Sequence, residues 1–270
     1  MTERDTRSLE LEQHVDATPD EVWEMLTTGE GLSRWFPVEA RVTPGVDGTV
    51  WLSWGPGCEG EAPIHIWEPG SRFGWTEDHG QDAEGRPIKV AVDFHIVGRQ
   101  GDTVVRLVQS GFDASADWDE MFDALKDGWS YFLFNLGHYF RHHRGKARGL
   151  AWKRAPTDLT RDEVWLRLVD AGLVDPVPAA NGSGASGSGG DASIGASVLI
   201  DRDRPARAVS SRPGHHFAAV LPDLDQALFF VELEGRHVGF WLSTYGVEPS
   251  EVARLQAALD ERIRAALGTA

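Results

Sequence analysis

Two histidines have the spacing of a metal site. His138 and His142 lie four residues apart, so a helix would present both to one ion. No HExxH motif or nearby acidic ligand accompanies them, and cationic side chains in the last turn of a helix complement its dipole. The single cysteine, Cys58, excludes a cysteine-based zinc site. We therefore predict no metal in this protein.

Three other polar residues lie within strand-like segments. Asp93 and His95 alternate on one face of a strand and could form a general acid/base pair. The apolar Val92 and Phe94 lie on the opposite face, so if that face meets the long helix, the pair points to solvent. Gln109 shares a face with Val105 and Leu107, which we expect to be the inner one. A buried amide needs a partner, so Gln109 either bonds a neighbouring polar group or contacts a ligand.

No sequence motif nominates a nucleophile or a cofactor. The sequence has no GxSxG motif and no P-loop, and its Gly-rich run does not lie between a predicted strand and a helix, as a dinucleotide-binding fingerprint requires. We therefore predict no catalytic residue and no cofactor.

A long helix and a set of strands must position these residues. Seven apolar residues recur at spacings of three and four, which predicts one amphipathic helix from about Trp118 to His143. They are Trp118, Phe122, Leu125, Trp129, Phe132, Leu136 and Phe140. The segment before it alternates in polarity and is broken by Gly and Pro turns, which predicts an antiparallel meander. The predicted strands are 8–15, 38–43, 48–54, 61–68, 71–77, 88–97 and 103–110.

A capped helix lies near the start of each half of the chain. Thr18-Pro19-Asp20-Glu21 has the pattern of a capping box, and Thr160-Arg161-Asp162-Glu163 repeats it. The second half continues with predicted strands at 197–200, 216–221, 227–234 and 237–244 and a helix over Pro249–Leu267. It therefore reads as a degenerate repeat of the first half, unless two capped amphipathic helices are alike by chance.

The sequence therefore predicts an α+β protein of two domains. The first, 1–144, is a curved antiparallel sheet that grips the long C-terminal helix. A linker over 145–157 leads to a smaller α+β domain over 158–270. Within that domain, the Gly/Ser-rich stretch 181–193 is expected to be a flexible loop.

Composition narrows the class of partner. The chain has 270 residues and a net charge of −16, which repels phosphate backbones and anionic lipid. The N-terminal residues are polar, and no run approaches the roughly 20 apolar residues that span a bilayer. We expect a cytoplasmic protein that binds neither nucleic acid nor membrane.

Residues 8–143 resemble the START-like, helix-grip superfamily, which includes birch-pollen allergens and polyketide cyclases. The similarity is strongest to bacterial relatives of the C-terminal domain of the heat-shock ATPase activator. It rests on five motifs in order: 17–23 (ATPDEVW), 32–36 (LSRWF), 67–73 (WEPGSRF), 103–112 (TVVRLVQSGF) and the helix 118–140.

The resemblance implies a hydrophobic ligand site between the sheet and the long helix, and it implies no invariant catalytic set. The residues that we predict to line this site are Trp35, Phe73, Trp75, Val92, Phe94, Leu107, Gln109, Phe122, Leu125, Trp129 and Phe132.

Three functions remain open at this point. The first is non-enzymatic binding of a hydrophobic small molecule, which we favour. The second is an interaction protein that modulates a partner ATPase or chaperone. The third is a cyclase-type enzyme acting in the same site, which would need an acid or base on the inner wall, where the sequence offers only Gln109.

Overall fold

The computed structural model describes residues 6–81, 85–99, 101–113, 119–175 and 194–268. The chain divides into two compact units, residues 1–144 and 145–270. The predicted flexible loop at 181–193 lies outside the described residues.

The first unit has one antiparallel sheet of seven strands in the order β1-β7-β6-β5-β4-β3-β2. Its elements are β1 (Thr6–Val15), α1 (Pro19–Thr27), α2 (Gly29–Ser33), β2 (Glu39–Thr43), β3 (Thr49–Ser53), β4 (Glu59–Glu68), β5 (Arg72–Gln81), β6 (Pro87–Arg99), β7 (Asp102–Asp113) and α3 (Asp119–His142). β1 therefore pairs with the last strand of the meander, and register shifts within the sheet bend it. The predicted α+β class and its curved sheet are confirmed.

Helix α3 packs against the inner face of this sheet. The helix lies close to β1 at Gly137, where a Cβ atom would be 2.8 Å from Gln13 Nε2 and 3.4 Å from the backbone oxygen of His14. Nearer the middle of the helix, the Trp129 and Phe94 ring centroids are 5.8 Å apart. This packing produces the inner wall on which the predicted site lies.

The second unit has one antiparallel sheet of six strands in the order β8-β13-β12-β11-β10-β9. Its elements are β8 (Arg148–Pro156), α4 (Arg161–Asp170), β9 (Ile194–Leu199), β10 (Asp203–Arg212), β11 (His216–Leu221), β12 (Ala227–Glu234), β13 (His237–Tyr245) and α5 (Pro249–Leu267), with a short 3-10 turn at Pro222–Leu224. The smaller second α+β domain is thus present.

The predicted linker over 145–157 is wrong. Nine of its residues form β8, which pairs with β13 along its length, from Arg148 opposite Tyr245 to Pro156 opposite His237. The buried residues of this strand include Ala151 and Ala155, whose small side chains give a weak apolar alternation. Strand β8 also supplies the initial strand that the sequence of the second half did not reveal.

The two units share a connectivity. In each sheet the first strand pairs with the last, a capped helix follows the first strand, and a long helix closes the unit. Both capping boxes form, with Thr18 Oγ1 accepting from Glu21 N and Thr160 Oγ1 from Glu163 N. This common order agrees with a degenerate repeat. Within the described ranges, no helix combines the length and apolarity needed to cross a bilayer.

Candidate functional site

The predicted site residues of the first unit lie on facing elements. Those on the sheet and at the end of α2 are almost entirely buried, as is Trp129 on α3, whereas the other helix residues are half-buried. The buried group is Trp35, Phe73, Trp75, Val92, Phe94, Leu107, Gln109 and Trp129, and the half-buried group is Phe122, Leu125 and Phe132.

Phe36 connects these aromatic side chains, although the sequence did not single it out as a site residue. Its ring stacks on Trp129 at 4.8 Å between centroids and meets Phe132 edge-on at 4.9 Å. It also stacks on Trp35 and contacts Trp54. Phe36 could have been predicted from its position beside Trp35 after a short helix, because the rings of both residues point inward.

Gln109 has the partner that its burial requires. The Trp129 indole Nε1 donates to Gln109 Oε1 over 2.9 Å, and both residues are buried. The hydrogen bond joins α3 to β7 across the inner face. It also places an amide group within a wall that is otherwise aromatic.

A second indole is held by a carboxylate on the same face. The Trp75 Nε1 donates to Glu77 Oε1 over 3.0 Å, and Glu77 Oε2 lies 3.2 Å from His79 Nε2. Glu77 follows Phe73 and Trp75 at the two-residue period of a strand, and its cross-strand partner, Val90, is fully buried.

This pair is not sealed from solvent. The side chains of Glu77 and His79 are 32% and 26% exposed, unlike the buried indole beside them. A carboxylate and an imidazole can accept or donate protons, so the inner wall contains acid/base groups that sequence reasoning missed. The alternation along β5 was the available signal, but the predicted strand ended at Glu77.

Asn135 fixes the segment that follows α2 against α3. Its Nδ2 donates to the backbone oxygen of Trp35 over 2.6 Å, and the Trp35 indole donates to the Met25 oxygen over 3.2 Å. Both side chains are fully buried. The position of Trp35 and Phe36 in the site is therefore set by hydrogen bonds as well as by packing.

The histidines considered as metal ligands lie together at the end of α3. The ring centroids of His138 and His142 are 4.5 Å apart, and that of His143 is 5.4 Å from His138. Across the part of the chain that the structure describes, no group of three His, Cys, Asp or Glu residues has the arrangement of a metal site.

Asp93 and His95 lie on the opposite, outer face of the sheet, as predicted. The partner of Asp93 is His65 on β4, however, with Asp93 Oδ1 2.8 Å from His65 Nε2. If Asp93 belongs to an acid/base pair, its partner is therefore His65 on β4 and not the predicted His95.

The curved sheet, its inward-facing aromatic wall and the long helix across it have the arrangement of the START-like helix-grip fold. Residues 16–141 match the family model described as Activator of Hsp90 ATPase homolog 1-like protein. These findings confirm the superfamily resemblance for the first unit. A comparison with curated protein sequences finds no significant match.

Solved structures similar to this chain match either about half of it or nearly its whole length. The Aha1 dimer from Colwellia psychrerythraea is 17% identical over 52% of this chain and 99% of its own, with a TM-score of 0.45. The di-domain ARO/CYC BexL from the BE-7585A biosynthetic pathway is 16% identical over 97% of this chain and 96% of its own, with a TM-score of 0.44. DynU16, from the dynemicin biosynthetic locus, is 18% identical over 97% of this chain and 96% of its own, with a TM-score of 0.42.

Proposed function

We propose that the first unit binds a hydrophobic, aromatic small molecule between the inner face of its sheet and α3, without converting it. The observation that supports this function is the placement of Gln109 and Glu77 among aromatic rings, each accepting a hydrogen bond from an indole. Ligand sites combine an apolar lining with a few placed polar groups that fix orientation.

The polar groups also indicate how such a ligand would be oriented. Its rings would contact Trp75 and Trp129, and a hydroxyl or amine would face the partly exposed Glu77 and His79. A carboxylate accepts hydrogen bonds and does not donate them, which favours a ligand with a donor at that end.

Two-dimensional NMR of the indole N–H groups tests the proposal, with 2-naphthol as the probe. We expect 2-naphthol to shift the signals of Trp75 and Trp129 and to leave those of Trp152 and Trp165 in place. Trp75→Phe and Trp129→Phe assign the two signals, because each substitution removes one.

Glu77→Gln and Asp78→Asn provide a matched pair for the polar end. Asp78 is the next residue of β5 on the other face, where it pairs with Lys89. We expect Glu77→Gln to weaken binding of 2-naphthol and Asp78→Asn to leave it unchanged. Unperturbed indole signals at saturating probe would contradict the binding proposal.

The second candidate is modulation of a partner ATPase, and the family-model match over residues 16–141 favours it. This function predicts that the protein changes the ATPase rate of an Hsp90-type chaperone when no small ligand is present. Stimulation of that rate, together with unperturbed indole signals, would favour this candidate over ligand binding.

The third candidate is a cyclase-type reaction, and the Glu77–His79 pair favours it by placing proton-transfer groups on the inner wall. This function predicts that a bound compound leaves the protein chemically altered. Mass spectrometry of a polyketide-like ligand before and after incubation distinguishes conversion from binding, and Glu77→Gln should abolish conversion.

A further inference from the structure

A threonine, a histidine and an aspartate are hydrogen-bonded in series on the outer face of the first sheet. They lie on three adjacent strands, with His65 on β4, Thr76 on β5 and Asp93 on β6. Thr76 Oγ1 is 3.0 Å from His65 Nδ1, and His65 Nε2 is 2.8 Å from Asp93 Oδ1. Trp75 and Val92, the strand neighbours of Thr76 and Asp93, are buried on the other face.

Gly74 makes room for this arrangement. It lies on the middle strand directly opposite Asp93. A Cβ atom at this position would lie 2.3 Å from Asp93 Oδ1 and 3.2 Å from His65 Cε1. Any other residue would therefore displace the carboxylate or the ring. The contact between His65 on β4 and Asp93 on β6 thus depends on glycine at position 74.

The hydrogen bonds fix the tautomer of the imidazole. A carboxylate oxygen only accepts, so His65 Nε2 carries the proton that is donated to Asp93. The neutral ring then has its lone pair on Nδ1, which accepts from the Thr76 hydroxyl. A hydroxyl that donates to a base, itself oriented by a carboxylate, has the arrangement of an activated nucleophile.

We propose that Thr76 is a nucleophilic site that accepts acyl groups from small activated esters. His65 acts as its general base, and Asp93 is the positioning residue that orients the ring. The side chains of His65 and Asp93 are 34% and 19% exposed, and Thr76 is half-buried, so a small reagent can reach the hydroxyl. This site is on the opposite face of the sheet from the proposed ligand site and does not depend on it.

The reaction is a simple acyl transfer. Thr76 Oγ1 forms a bond to the ester carbonyl carbon while its proton passes to His65 Nδ1. The bond from that carbon to the leaving oxygen then breaks, and the leaving group departs as an alcohol or phenol with the proton from His65. The products are the acyl-threonine ester and the free alcohol or phenol.

Treatment of the full chain with p-nitrophenyl acetate tests the proposal. We expect up to one equivalent of acetyl on Thr76, located by peptide mass spectrometry, with a matching release of p-nitrophenol. Thr76→Val should abolish this acetylation, and His65→Gln should slow it about 100-fold, the usual contribution of a general base. His95→Gln, a histidine of the same outer face on β6, is the matched control and should react at the wild-type rate.

The role of Asp93 is separated from simple packing by ¹⁵N NMR of the imidazole. In the wild type, the His65 proton should reside on Nε2, and in Asp93→Asn the Nδ1–H tautomer should become populated as acetylation slows. Acetyl groups found only on lysines or the amino terminus would overturn the proposal. An unchanged rate at Thr76 in folded His65→Gln would overturn it as well.

Discussion

Two buried indole groups of the first unit donate hydrogen bonds to acceptors that differ in solvent exposure. Trp129 donates to a buried amide oxygen of Gln109, whereas Trp75 donates to Glu77, whose side chain is one-third exposed. Trp129→Phe leaves the amide oxygen buried without its donor, so we expect a loss of about 1–3 kcal/mol in the free energy of unfolding.

Trp75→Phe is the control for this substitution. It removes the same N–H group, but water can replace it at Glu77, so we expect a loss at or below about 1 kcal/mol from the missing hydrogen bond. Urea denaturation measures both variants. Equal losses would mean that Gln109 is not dependent on the indole for its hydrogen bonding.

In the second unit, a buried arginine depends on Asp201. The Arg204 side chain is fully buried, with Nη2 2.9 Å from Asp201 Oδ1, and Arg254 Nη1 is 2.7 Å from Asp201 Oδ2. Asp201→Asn removes the main counter-charge of a buried guanidinium, so we expect a loss of about 3 kcal/mol in stability.

Asp223→Asn is the comparison for that substitution. Asp223 is 3.4 Å from Arg204 and 37% exposed, so its removal should cost less than about 1 kcal/mol. Urea denaturation again measures the difference. A loss for Asp223→Asn as large as that for Asp201→Asn would show that the two carboxylates share the role.

The Asp201 carboxylate also makes stability depend on pH. Burial opposes its ionisation, but hydrogen bonds from Arg254 and Arg204 outweigh burial and lower its pKa below the ordinary 3.8. A lowered pKa stabilises the fold above the ordinary value, and this stabilisation is lost as pH falls through the lowered one. Thermal melts recorded from pH 5 downward test this dependence. As the pH falls below the ordinary 3.8, the melting temperature should fall more steeply for the wild type than for Asp201→Asn.

Site residues that belong to a long periodic pattern could be predicted from the sequence, whereas those brought together only by tertiary contacts were missed. Trp129 was predicted from the helix period, and Gln109 from its strand face, and the two meet across the inner wall. His79 was missed because the predicted strand ended at Glu77, and Glu77 was missed because its partners, Trp75 and His79, are set by the side-chain contacts of the folded strand. His65 was missed because it meets Asp93 only through the pairing of β4 and β6 with β5, which the sequence pattern does not specify.

Among the elements, helices α1 and α4 begin with the same capping box. In each, a threonine side chain accepts from the backbone of a glutamate three residues later, and that glutamate accepts in return. We expect Thr18→Ala and Thr160→Ala each to lower stability by about 1 kcal/mol, since one helix N–H loses its partner.

Serine at the same positions is the matched control, because it keeps the hydroxyl. Thr18→Ser and Thr160→Ser should retain most of the stability that alanine loses, as measured by chemical denaturation. If serine and alanine were equally destabilising, the effect would come from the threonine methyl group and not from the cap.

Helices and the strands of the first unit were predictable, whereas two strands of the second were not. The helix predicted for Pro249–Leu267 matches α5, and the long helix differs from α3 by one residue at each end. Strand β8 was missed because its inward residues include two alanines. Strand β10 was missed because it contains Pro205 and the buried Arg204, both contrary to an apolar strand pattern.

For the molecule as a whole, limited proteolysis tests the division of the chain. We expect elastase to cut first within 181–193, because Gly-, Ser- and Ala-rich segments are preferred sites of nicking. Mass spectrometry of the fragments locates the cut. A first cut within 88–110 would contradict the pairing of β6 with β7, which protects that backbone.

The pairing of the first strand with the last has a consequence during biosynthesis. Leu9 on β1 pairs with Gln109 on β7, about a hundred residues later in the chain. At a translation rate of roughly 5–20 residues per second, β1 leaves the ribosome roughly 5–20 seconds before its partner is made. Glu10 and Glu12 place charge on this waiting strand and disfavour its pairing with other nascent chains. β8 meets the same delay before β13 is complete, so each unit of this protein closes only when its final strand has emerged.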